Sequence, residues 1–86
     1  MNTKIIETFD DNIWIGRYKN TICRSIKAFS ICKNKYVNFS MYLGGKYACS
    51  GYEINDIPSD LLMYDEIRLK TNVDNFPVKY IIKYDL

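Results

Sequence analysis

The sequence predicts an α+β domain, a twisted antiparallel β-sheet of about six strands in three hairpins with one covering helix. An all-β sandwich or small barrel is the alternative. Three observations lead there. Apolar and polar residues alternate with a period of two through most of the chain. Clusters of turn-forming residues separate these runs. Only residues 20–33 also place apolar side chains at helical spacing. With 86 residues there is room for one compact domain, residues 1–86.

The first run, residues 3–9, puts Ile5 and Phe9 on one strand face and Ile6 on the other. Asp10-Asp11-Asn12 is a turn cluster. Residues 13–18 alternate Ile13 and Ile15 against Trp14, Gly16 and Tyr18, so the two runs predict a hairpin. Trp14, the single tryptophan, is expected in the core. Over residues 20–33, Ile22, Ile26 and Phe29 share a helical face, and Asn20 or Thr21 can cap it. Strand is the alternative there, because the segment is rich in β-branched residues and Arg24 in a first turn opposes the helix dipole.

Residues 35–43 are the clearest strand: Val37, Phe39, Met41 and Leu43 alternate with Tyr36, Asn38, Ser40 and Tyr42. Gly44-Gly45 supplies the positive φ angles of a two-residue hairpin loop. Residues 46–54 return as its partner, and Ala48, Cys49, Ser50 and Gly51 leave room for a bulge or a close-packed helix. Residues 55–63 read as a connection with one helical turn, capped by Ser59 or Asp60, with Leu61 and Leu62 at the core edge. In the last third, Ile67, Leu69, Thr71 and Val73 share one face, as do Val78, Tyr80, Ile82, Tyr84 and Leu86. Asp74-Asn75-Phe76-Pro77 is a turn between these two strands, which completes the third hairpin.

Charge divides the chain unevenly. Residues 12–52 contain no Asp or Glu and sum to +7, whereas residues 1–11 sum to −2 and residues 53–86 to −3, for a net charge of +2. Catalysis is not expected. There is no His to serve as general acid, base or zinc ligand. Three Cys without C-x-x-C spacing make neither a disulfide framework nor a zinc site; buried or half-buried thiols are expected, with a reactive Cys beside Arg24 or Lys33 as the alternative. Asp10-Asp11 and Asp65-Glu66 lie near turns, where solvated carboxylates belong. Gly44-Gly45-Lys46 lacks the phosphate-loop frame; it reads as a hairpin turn, with a phosphate contact as the alternative. No cofactor and no metal are implied.

A binding role therefore remains. The chain holds eight Tyr, and Tyr and Arg are enriched at interfaces. The expected partner surface is basic and Tyr-rich: Arg17, Tyr18, Lys19, Arg24, Lys27, Lys33, Lys35, Tyr36, Tyr42 and Lys46. An alternative acidic surface, Asp56, Asp60, Asp65 and Glu66, would mimic phosphates. The usage of Ile, Lys, Asn and Tyr suggests an AT-rich genome. In size and in lacking motifs the chain resembles anti-CRISPR proteins, which implies an inhibitor, phage-type or from another mobile element, that binds a host protein, one that handles nucleic acid among the candidates. Direct nucleic-acid binding, with cations on phosphates and Tyr under bases, is the other expectation. No apolar run of roughly 18 residues predicts a membrane span. The polar, acidic N-terminus does not read as a signal peptide. The expected location is the cytoplasm, of the host cell if the protein is phage-encoded. The partner surface requires charge segregation along the chain to persist in space.

Overall fold

The computed structural model describes residues 2–10, 12–14, 22–55 and 67–85. Among these residues the chain is all-β, with no α-helix. Sheet A has β1 (Asn2–Thr8), β9 (Val78–Asp85) and β3 (Ile22–Ser30) in that order, all antiparallel. The far edge of β3 is shared by β4 (Lys35–Tyr36) and β7 (Glu53–Asn55). Sheet B runs β2 (Asn12–Trp14), β8 (Ile67–Lys70), β5 (Phe39–Leu43) and β6 (Lys46–Gly51). The two sheets pack face to face around one core. The described residues thus fit the all-β alternative more than a sheet with a covering helix.

The helix expected over residues 20–33 is replaced by β3 and a turn at Ile31–Asn34, where Asn34 adopts φ 53°. Asn20 and Thr21 lie outside the described residues. Ile26, Ala28 and Ser30 are buried, while Lys27 and Phe29 look outward. The local signals were nearly balanced, so the neighbours decide. β9 lies along one edge of β3, and β7 with β4 pair the other at Ser25–Lys27 and Phe29–Ser30, which engages backbone groups on both edges and sets Ile26 between Ile82 and Ile54. A bulge between Cys23 and Ser25 leaves Arg24 outside the ladder.

Two of the three expected hairpins are also corrected. β1 pairs with β9 along all seven residues, including Ile6 opposite Tyr80 and Glu7 opposite Lys79. β2 pairs instead with β8 in the other sheet. The chain changes sheets after Thr8, whose Oγ1 accepts a hydrogen bond from the Asp10 N–H at 2.9 Å. The last third divides in the same way: β8 belongs to sheet B and β9 to sheet A. Their link holds a 3-10 turn at Val73–Asn75 and a cis Phe76–Pro77 peptide, so the expected turn is present but joins two sheets. Val73, expected to face inward, is 71% exposed because the strand stops at Lys70. The β5–β6 hairpin forms as expected, with Gly44 at φ 57° and Gly45 at φ 83°. The small residues beside it admit a bulge, between Met41 and Tyr42 in the register. The side chain of Trp14, residues 15–18 and the connection at 56–63 lie outside what is described.

The core follows the period-two pattern. Val37, Phe39, Met41 and Leu43 are buried, as are Ile67 and Leu69 of β8 and Val78, Tyr80 and Ile82 of β9. The Phe39 and Tyr80 rings meet edge to face at 5.8 Å and tie sheet B to sheet A. Among the described residues no helix is long and apolar enough to cross a membrane.

Tyr80 is 0% exposed, and its hydroxyl has no hydrogen-bond partner among the described residues. Burial pushes its phenol well above the ordinary value. Tyr80→Phe therefore removes an unsatisfied group and changes unfolding free energy by under about 1 kcal/mol, whereas Tyr80→Ala costs about 3–5 kcal/mol. The raised phenol makes stability fall as pH rises beyond about 10, where the unfolded chain ionises first. Urea titrations at increasing pH should show a smaller alkaline loss for Tyr80→Phe.

Candidate functional site

Five cations of the acid-free stretch are described, and three are matched with acids of the C-terminal third. Arg24 Nε lies 2.6 Å from Asp85 Oδ2. Lys27 Nζ lies 3.6 Å from Glu53 Oε1, as their pairing across β3 and β7 dictates. The same ammonium stands 5.7 Å from the centroid of the Tyr36 ring. Lys33 Nζ donates to Asp74 Oδ2 at 3.1 Å and to Asn75 Oδ1 at 2.6 Å. Segregation along the chain is therefore partly undone in space. Lys35 and Lys46 are exposed and have no ion pair among the described residues.

The expected site residues also part company. Lys27 and Tyr36 lie on the outer face of sheet A, where Tyr36 meets Phe29 edge to face at 5.3 Å. Tyr42 lies on the outer face of sheet B, and Lys46 follows its glycine turn. Arg17, Tyr18 and Lys19 lie outside the described residues, as do Asp56, Asp60, Asp65 and Glu66.

Sheet B provides a different clustering. None of its four strands contains an Asp or Glu. With Met41, Leu43, Ile67 and Leu69 turned inward, the alternate residues form two outward rows. Register places Arg68 opposite Tyr42 and Tyr42 opposite Tyr47; the neighbouring row is Lys70, Ser40 and Ser50. The tyrosine rings meet edge to face at 5.8 Å. Ser50 Oγ lies 2.9 Å from Ser40 Oγ and 2.7 Å from the Tyr47 hydroxyl, so this face is held in one arrangement. Arg68 and Lys70 were counted with the acidic third of the sequence. Their alternation with Ile67 and Leu69 was the available signal that they share an outward face.

At one end this face opens into a cleft of about 270 Å³. Asn38, Ser40, Tyr42, Lys70 and Asn72 line it above Thr71 and Asn75. The floor is fixed: Thr71 Oγ1 donates to the Asn38 carbonyl at 2.7 Å, and Asn75 Nδ2 donates to Thr71 Oγ1 at 2.8 Å. Amides, hydroxyls and one ammonium suit a polar, anionic group, with the Tyr42 ring beside it. Among the described residues there is no group of three His, Cys, Asp or Glu side chains that could hold a metal. Cys32 is exposed and Cys49 half-buried, and burial pushes the Cys49 thiol up. No protein-family model, curated protein or solved structure shows significant similarity to the chain.

Lys33 supports the corner between the sheets, so its charge is structural. Lys33→Glu sets a carboxylate beside Asp74 and costs on the order of 1 kcal/mol, measured by urea unfolding. Lys35→Glu stays within about 0.5 kcal/mol of the unaltered protein. Iodoacetamide at about pH 8 should label Cys32 before Cys49, with Cys49 gaining as pH rises because the thiolate is the nucleophile. Peptide mass spectrometry reads the order.

Proposed function

We propose that the chain is a non-enzymatic binding protein, an inhibitor that seats the outer face of sheet B on an acidic surface of a partner protein. The observation that carries this is the set Tyr42, Tyr47, Arg68 and Lys70 on strands without a single carboxylate. Tyr and Arg give large contact area at low entropic cost and dominate interface hot spots. Outward cations steer an acidic partner and select its orientation. The lack of His supports a role without acid–base chemistry. Small size and AT-rich residue usage support a phage or mobile-element origin and a host defence component as target, an anti-CRISPR-like role included.

A second reading, direct binding of single-stranded nucleic acid, is favoured by the cleft. Lys70 there stands among amides and hydroxyls beside the Tyr42 ring, which suits a phosphate with a neighbouring base.

Affinity capture from host-cell lysate tests the first reading. The unaltered protein should recover one stoichiometric protein, with nuclease treatment making no difference. Tyr42→Ala should weaken that capture by roughly 30-fold and Lys70→Glu by a similar factor. Lys83→Glu, on the outer face of sheet A, should leave it intact. If labelled oligonucleotide binds instead, with a log–log salt slope that Lys70→Glu reduces by about 1, the second reading replaces the first. Capture that survives both Tyr42→Ala and Lys70→Glu would remove this face from the interface.

A further inference from the structure

We propose that β1 is a self-association edge, occupied by β1 of a second copy paired antiparallel about Ile5. The inference is independent of the outer face of sheet B.

Among the described residues nothing pairs with the edge of β1 opposite β9. Proteins blunt such edges with bulges, prolines, very short strands or charged side chains, Lys above all. β1 has no bulge and no Pro and runs seven residues in unbroken register with β9; its charges are Lys4 and Glu7, so a pairing must keep each of them from its own copy. It also holds Ile5 outward at 59% exposure, opposite Ile81 of β9.

Symmetry limits the pairing. Two antiparallel copies of one strand are related by a two-fold axis normal to the sheet, so each residue meets one of the same face. Centring on Lys4 sets Lys4 against its own copy, and centring on Glu7 does the same for Glu7; like charges directly opposite are unfavourable. Centring on Ile6 sets Ile5 against Glu7. Centring on Ile5 avoids all three conflicts and is the register that pairs every residue of β1. Ile5 then meets Ile5, Thr3 meets Glu7, Lys4 meets Ile6 and Asn2 meets Thr8. Across the joined sheet an apolar row forms, Ile81, Ile5, then Ile5 and Ile81 of the second copy. The adjacent row reads Lys79, Glu7, then Thr3 and Lys83 of the second copy, so the carboxylate keeps the cation it already faces.

The axis keeps both outer faces of sheet A on one side. Both copies of sheet B therefore lie on the other, and their Tyr–cation faces point the same way. A dimer of this form presents two binding faces to one partner surface, which raises avidity without new contacts.

Sedimentation or light scattering from roughly 1 µM to 1 mM reads the association. The expected result is a mass rising from 10.2 kDa to twice that value and no further. Ile5→Lys places two ammonium groups at the axis and should weaken association at least tenfold, with the unfolding transition of the monomer unchanged because Ile5 is exposed. Tyr42→Ala should leave the dimer intact. With Cys23, Cys32 and Cys49 replaced by Ala, Ile5→Cys should oxidise to a covalent dimer. Glu7→Cys should not, since its two copies stand about 14 Å apart in this register. A monomer at every concentration, a dimer insensitive to Ile5→Lys, growth past the dimer, or crosslinking at Glu7→Cys in place of Ile5→Cys would each overturn the proposal.

Discussion

The corner at residues 71–77, where the chain leaves sheet B and enters sheet A, carries the constraint on which the remaining structure depends. A strand that changes sheets gives up ladder hydrogen bonds, and every buried polar group there needs another partner. Buried side chains supply them. Ser30 Oγ donates to the Asn75 carbonyl at 2.7 Å, the Ile31 N–H reaches the Pro77 carbonyl at 2.9 Å, and the Asn75 side chain joins Lys33 to Thr71. Losing one member strands another, at about 1–3 kcal/mol for each unsatisfied group. The network binds the β3–β4 turn to the β8–β9 link. It thereby sets how one sheet lies on the other, seats Phe39 against Tyr80, and forms the floor of the polar cleft.

Charge follows from the same arrangement. Sheet A brings distant parts of the chain together, and acids meet cations across its ladders: Glu7 with Lys79, Glu53 with Lys27, Asp85 near Arg24. Sheet B is assembled from four strands that contain no acid, and their register sets Lys70 opposite Ser40 and Arg68 opposite Tyr42. Among the described strands each sheet sums to +3; the layers differ in that sheet A mixes acids with its cations and sheet B carries cations alone. That difference moves the candidate surface from the acid-free stretch as a whole to one face, and of the residues expected from sequence it keeps Tyr42 on that face and Lys46 beside it.

Much of the strand content was legible in the residues. The alternation at Val37, Phe39, Met41 and Leu43 named buried positions, and Gly44-Gly45 named a hairpin, because both signals act over a few residues. The segment at 20–33 was not legible, since Ile22, Ile26 and Phe29 satisfy a helical face while Ile26, Ala28 and Ser30 satisfy a strand face. The site was half legible: Tyr42 was visible as an outward aromatic. Arg68 and Lys70 were hidden, because a charge count along the chain assigns each residue to its sequence neighbours.

By itself the sequence determined the polarity of the strands, which side chains turn toward a core and where the chain must bend. Those are properties of the local backbone and its period of two. Only the tertiary structure decided which strand lies beside which. Backbone N–H and C=O groups are alike in every strand and will pair with any edge. Partner choice therefore rests on how the buried faces fit and how each corner is satisfied, and those terms exist only once distant residues are in contact.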